Sequence, residues 1–140
     1  MIDYSDFENS LKNLQRYHEA YKGGKHLADS NDLEELAQMG LIQSFEVCYE
    51  TILKALRRHL TEDLGVTDPG NGAKLMFRTA GDNGLLSKNL DRWLNYVDAR
   101  NTTSHDYSLE KLLYVLELIP KFIADAIELY QAVTGIEWES

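Results

Sequence analysis

The stretch Ala99-Arg-Asn-Thr-Thr-Ser-His-Asp-Tyr107 gathers Arg100, His105 and Tyr107 within one short segment. An arginine is permanently charged and its planar fork matches the oxygens of a phosphate, while a histidine exchanges protons near neutral pH, so the pair suits phosphodiester chemistry. Tyr107 adds a hydroxyl close by. Metal chemistry has no comparable support: His18, His26, His59 and His105 are scattered, with no pair at a ligand spacing, so neither metal nor cofactor is expected. The lone Cys48, beside Val47 in an apolar stretch, reads as a buried, inert thiol.

Spacing alone gives a plain answer. An arginine and a histidine in a helix–helix turn are more often a C-terminal charge and a surface residue. Lysine and arginine number 14 against 23 acidic residues, a formal charge of −9, which argues against a surface that grips nucleic acid all over. Any phosphate site must be local. Basic residues cluster at Arg57, Arg58 and His59, read as a helix C-terminal turn, and at Lys88, Arg92 and Arg100. No apolar run approaches the ~20 residues that span a bilayer, and Met1 to Asn13 lacks the pattern of a signal peptide. No membrane association and a cytoplasmic location are expected.

The elements that must position the motif read as helices nearly throughout. Ser5 and Glu8 resemble a capping box ahead of Phe7, Leu11, Leu14 and Tyr21, and Gly23-Gly24 ends that helix. A second helix starts near Asp32 and carries a stripe of Leu33, Leu36, Leu41, Phe45, Cys48, Ile52, Leu56 and Leu60. Gly65 to Asn71, with Pro69, breaks it, and Lys74 to Ala80 reads as a short helix before a turn at Gly81 to Gly84. Ser87 can cap a helix carrying Leu90, Trp93, Leu94 and Val97, expected to end near Arg100. Ser108 can cap a long last helix carrying Leu112, Leu116, Ile119, Ile123, Ile127 and Tyr130, with a bend expected at Pro120. Tyr49, Tyr96, Tyr114 and Trp93 read as packing aromatics, and Trp138 as an anchor for the tail. No segment alternates with a period of two, so the expectation is all-α: an up-and-down antiparallel bundle of four main helices plus a short one, forming a single domain over 1–140.

Arg100, four intervening residues, His105, one residue and Tyr107 resemble the Arg-x4-His-x-Tyr signature of the HEPN superfamily. Asn101 after the arginine, Ser104 before the histidine and the helix Trp93 to Asp98 leading in are similar to the branch of HepT-like toxins and nucleotidyltransferase substrate-binding proteins. So is the stretch Ile42 to Leu56; the resemblance covers about Leu33 to Tyr130 and is weakest in the first helix and in Gly65 to Gly84.

The resemblance implies a homodimeric helical bundle that joins two motifs at one cleft. It implies a metal-independent ribonuclease toxin controlled by a small, minimal (MNT-type) nucleotidyltransferase antitoxin. RNA is the implied substrate. Arg100 and His105 are then the catalytic pair, Asn101 their support, and Tyr107 the residue to which the antitoxin adds AMP. The alternative within the same family is a non-catalytic substrate-binding subunit of a nucleotidyltransferase. The chemistry is compatible, because RNA can be cut by its own 2′-hydroxyl given a proton acceptor, a proton donor and charge stabilisation at phosphorus.

Overall fold

The computed structural model describes residues 2–24, 31–105 and 108–139; the side chains of Ser104, His105 and Leu109 lie outside that description. The described residues form five α-helices and no strand: α1 (Ser5–Gly23), α2 (Asn31–Arg58), α3 (Ala73–Asp82), α4 (Leu90–His105) and α5 (Leu109–Thr134). Four are long and α3 is short, the all-α bundle that the periodicity predicts. α1 packs on α2 and α5, α5 packs on α2 and α4, and α3 lies against α4.

The core follows from the apolar stripes. Phe7, Leu11 and Leu14 of α1 are buried against Leu41, Phe45, Cys48, Ile52 and Leu56 of α2 and Ile119, Phe122 and Ala126 of α5. Aromatic edges tie the helices together. Phe45 and Trp93 both set their rings edge-on to Phe122, at 4.8 and 5.8 Å between centroids, and Phe77 of α3 stacks on Trp93 at 4.9 Å. Pairs of this kind add about 0.5–1.5 kcal/mol each beyond the area they bury. Trp138 packs edge-on against Tyr130 and donates to Gln15, anchoring the tail as expected. Gly135, at φ 72°, supplies the left-handed residue that ends α5.

Several local expectations are corrected. Ser5 is the first helical residue rather than the cap, and its N–H is taken by the Asp3 carboxylate at 2.9 Å. Leu33 and Leu36 are exposed, at 52% and 66%, because the stripe on α2 meets α1 and α5 only from Leu41 onward. Ser87 stands outside α4, where Asn89 instead precedes the first turn and accepts from the Trp93 N–H. Beyond Arg58 the chain continues as a π-helical turn, His59–Asp63, where Thr61 bonds back to the Arg57 and Arg58 carbonyls and the Leu64 N–H reaches five residues back to His59. In keeping with one long last helix, α5 runs through the exposed Pro120 without a break in its span.

The correction with most consequence concerns α4, which runs through the motif to His105 instead of ending at Arg100. No glycine or proline interrupts Asn101 to Ser104, and the Thr102 and Thr103 hydroxyls bond back to the carbonyls of Asp98 and Arg100. Arg100 and His105 therefore share one helix, and at five residues' separation their positions lie about 140° apart around its axis.

α4 is held to α5 by one buried carboxylate. Asp125 accepts from Asn89 at 3.1 Å, from Arg92 through two bonds at 2.8 Å and from the Tyr96 hydroxyl at 2.5 Å. Burial pushes the Asp125 acid up, but the donors of Arg92, Tyr96 and Asn89 outweigh it and hold it below its ordinary value of 3.8. Its contribution to stability is thus fully present above about pH 4 and is lost as pH falls through the lower folded-state value. Asp125→Asn is expected to lower stability by about 1–3 kcal/mol at pH 7, read by urea unfolding. Wild type should lose more of its melting temperature between pH 5 and pH 3 than the variant does; parallel losses would remove Asp125 as the source.

Candidate functional site

Arg100 projects from α4 onto α2. Its Nη1 lies 3.1 Å from Glu46 Oε2 and its Nε 3.7 Å from Glu50 Oε1, with the arginine side chain only 24% exposed. Glu46 and Glu50 are one turn apart on α2, so the pair forms an acidic seat for a single guanidinium. The Nε nevertheless is buried without a hydrogen bond, because the Glu50 oxygen stands beyond hydrogen-bonding reach. Arg100 is neutralised in charge but not saturated as a donor.

Of the other residues singled out from sequence, Asn101 is exposed beside Arg100, on the rim of a groove between α2, α4 and the start of α3. His105 is the last residue of α4, with its side chain outside the described residues; Asp106 and Tyr107 lie outside them altogether. Thr103 is buried and Trp93 is fully enclosed. Tyr49 and Tyr96 are core residues whose phenols burial pushes up, whereas Tyr114 is half-exposed and not the packing residue expected. Cys48 is buried and its thiol is pushed up to about 12 by desolvation, as an inert cysteine requires. Among the described residues no cluster of three or more His, Cys, Asp or Glu could hold a metal ion, and no helix is long and apolar enough to cross a membrane.

Three contributors escaped the sequence reading. Glu46 and Glu50 sit on a stripe that reads as solvated, and only the fold brings Arg100 to them. Lys74 pairs with Asp98 at 2.8 Å across the groove. A second hollow, ≈ 390 Å³, borders the same Glu46 and is lined by Leu36, Met39, Gln43 and Leu112. Away from the motif, Tyr4 donates to Asp63 on the π-helical turn, with its hydroxyl 3.1 Å from His59 Nδ1, and burial, then the neighbouring Asp63, pushes its phenol up to about 12.

A helical bundle that turns the motif arginine of its fourth helix onto two acids of its second defines a class before it defines an activity. The chain belongs to the family described as Nucleotidyltransferase substrate binding protein like, which matches residues 2–134. A solved Haemophilus influenzae structure, described as the fold of a substrate binding domain of a nucleotidyltransferase, superposes with a TM-score of 0.83 at 27% identity, covering 94% of this chain and 98% of the other. A curated relative from Haemophilus influenzae, named Probable ribonuclease HepT, is 38% identical over 89 residues. That alignment takes in 62% of this chain and spans only 60% of the relative's length. The resemblance to the HepT-like branch is thereby borne out.

Removing Arg100 leaves Glu46 and Glu50 facing each other without a cation. Arg100→Ala is expected to cost about 1–2 kcal/mol in urea unfolding. Glu46→Gln in the same background should recover part of it, so the two changes are non-additive. Additive costs would show that the ion pair contributes nothing.

Proposed function

We propose that the chain is a metal-independent ribonuclease of the HepT type, acting as the toxin of a pair whose antitoxin is a small nucleotidyltransferase. The observation that carries this reading is Arg100 itself: a forked cation held on α4 with an unsatisfied Nε, five residues before His105. The likeness to the curated ribonuclease supports it.

In this mechanism the 2′-hydroxyl of RNA attacks the adjacent phosphorus. His105 takes the proton in one protomer, and the partner subunit's copy of the same histidine returns one to the leaving 5′-oxygen. Arg100 stabilises the charge that develops on the phosphate oxygens, and Asn101 supports the pair. The arrangement needs two copies. Positions about 140° apart on one helix do not serve one cleft easily, whereas two α4 helices brought together can. The exposed Leu36, Met39 and Val47 of α2, beside the hollow that borders Glu46, provide an apolar face for a homodimer.

The second reading, a non-catalytic substrate-binding subunit of a nucleotidyltransferase, is favoured by the net charge of −9. The descriptions of the family and of the solved relative point the same way. RNA cleavage separates the two. His105→Ala and Arg100→Ala are each expected to slow cleavage by about a hundredfold or more with the helical fold intact, and a chelator to change nothing. Equal cleavage by wild type and both variants would end the ribonuclease reading.

Tyr107 is proposed as the switch. An AMP group on its hydroxyl adds a phosphate that can engage Arg100 and repel an incoming RNA phosphate. Co-expression with a small nucleotidyltransferase of the antitoxin type should give an added mass of AMP that is absent from Tyr107→Phe. An addition that persists in the variant would move the switch elsewhere.

A further inference from the structure

The groove beside Arg100 extends beyond the motif. It is ≈ 490 Å³, within the range of about 300–1,000 Å³ that accommodates small ligands. Leu53 of α2 and Val97 of α4 give it an apolar floor, while Arg100, Lys74, Asn101 and Asn71, together with the acid Glu50, bring polar groups to its rim. One inward donor is open: Arg100 Nε is buried there without a hydrogen bond.

We propose that this groove seats the RNA phosphodiester next to the one Arg100 engages, with Lys74 as the second backbone contact and hence a positioning residue for the substrate strand. The inference rests on the ribonuclease reading and extends it to a binding path.

The present partner of Lys74 is easily exchanged. Its bond to Asp98 joins two side chains that are 44% and 58% exposed, and pairs of that kind contribute about 0–1 kcal/mol. A phosphate oxygen entering the groove offers Lys74 the same charge. The mounting of Lys74, by contrast, is firm. Gly70 has φ +120°, and a Cβ there would lie 2.8 Å from the backbone of Leu75 and of Met76, so the loop is wrapped directly onto the start of α3. Arg57 of α2 binds the Gly70 carbonyl at 3.2 Å, and the Asp68 carboxylate takes the Gly70 N–H at 3.1 Å. Gly72 caps α3 with no side-chain oxygen, which leaves first-turn N–H groups on the groove wall. In a chain of net charge −9, Lys74 and Arg100 bring two cations to one groove against the single lining acid Glu50, which is the kind of local phosphate site that such a composition permits.

The test uses the full chain and a 2′-O-methyl single-stranded RNA of about eight nucleotides, which binds but cannot be cleaved. Lys74→Gln is expected to weaken binding about five- to tenfold at low salt, to do so alike for different sequences, and to flatten the salt slope by about 0.7. Asp98→Asn, which removes the competitor, should tighten binding; a generally damaged fold would move both variants the same way. In cleavage of an unmodified oligonucleotide, Lys74→Gln should raise KM with kcat little altered, and the loss should shrink on a dinucleoside monophosphate, which has one phosphate only. Wild-type cleavage with Lys74→Gln equal to wild type in binding and KM overturns the groove and leaves the ribonuclease. Lys74-dependent binding without cleavage overturns the ribonuclease and keeps the groove. Neither binding nor cleavage overturns both.

Discussion

The arrangement depends on Asp125. This α5 carboxylate takes hydrogen bonds from Asn89, just ahead of α4, and from Arg92 and Tyr96 within it. A hydrophobic face alone lets a helix roll by tens of degrees at little cost, since apolar contact is not directional. Bidentate bonds from a planar guanidinium do not allow it. With Tyr96 fixed against α5, Arg100 one turn later is carried round toward α2, where Glu46 meets it. The orientation of the motif arginine is thus set by residues that never touch it.

This constraint explains what could be read from the chain and what could not. The positions of Phe7, Leu11 and Leu14, and of Leu41 through Leu56, follow from a period of 3.6, because burial of a stripe is a local property of each helix. Asn89, Arg92 and Tyr96 also recur at helical spacing, yet a polar stripe reads as solvent-facing unless its acceptor is known, and that acceptor is 29 to 36 residues away. Grouping Arg92 with Lys88 and Arg100 as a basic cluster therefore mistook a structural anchor for surface charge. The same blindness hid Glu46 and Glu50. The family resemblance supplied Arg100 and His105 as a pair, but the break expected between them is absent. Polar residues at 101–104 resemble a turn in sequence, yet α4 continues through them, with the Thr102 and Thr103 hydroxyls turned back onto its own carbonyls.

The acidity of the chain takes on a specific meaning at this site. An arginine in a protein of charge −9 will find carboxylates, and Arg100 has two. Their placement matters more than their number. Glu46 is 20% exposed and lies within ion-pair contact, while Glu50 is half-exposed and stands too far off to accept from Nε. One acid orients the guanidinium and the other leaves Nε unpaired, so under the proposed ribonuclease reading a phosphate would meet an arginine already turned and immobilised. A flexible, fully exposed arginine would have to lose its rotamer freedom on binding; this one has lost most of it in folding.

The same geometry weighs on the choice between catalysis and simple binding. A site meant only to hold a nucleotide gains from any arrangement that increases contact, whereas catalysis gains only from groups placed where charge appears in the transition state. Arg100 is poor for tight ground-state binding, since a phosphate must compete with Glu46 for it. That competition weakens as charge builds on the phosphate oxygens, because the attraction grows with the anion while the carboxylate stays as it was. An arginine shared with a glutamate in this way discriminates between the two states, and a ribonuclease uses that discrimination while a passive binding subunit does not.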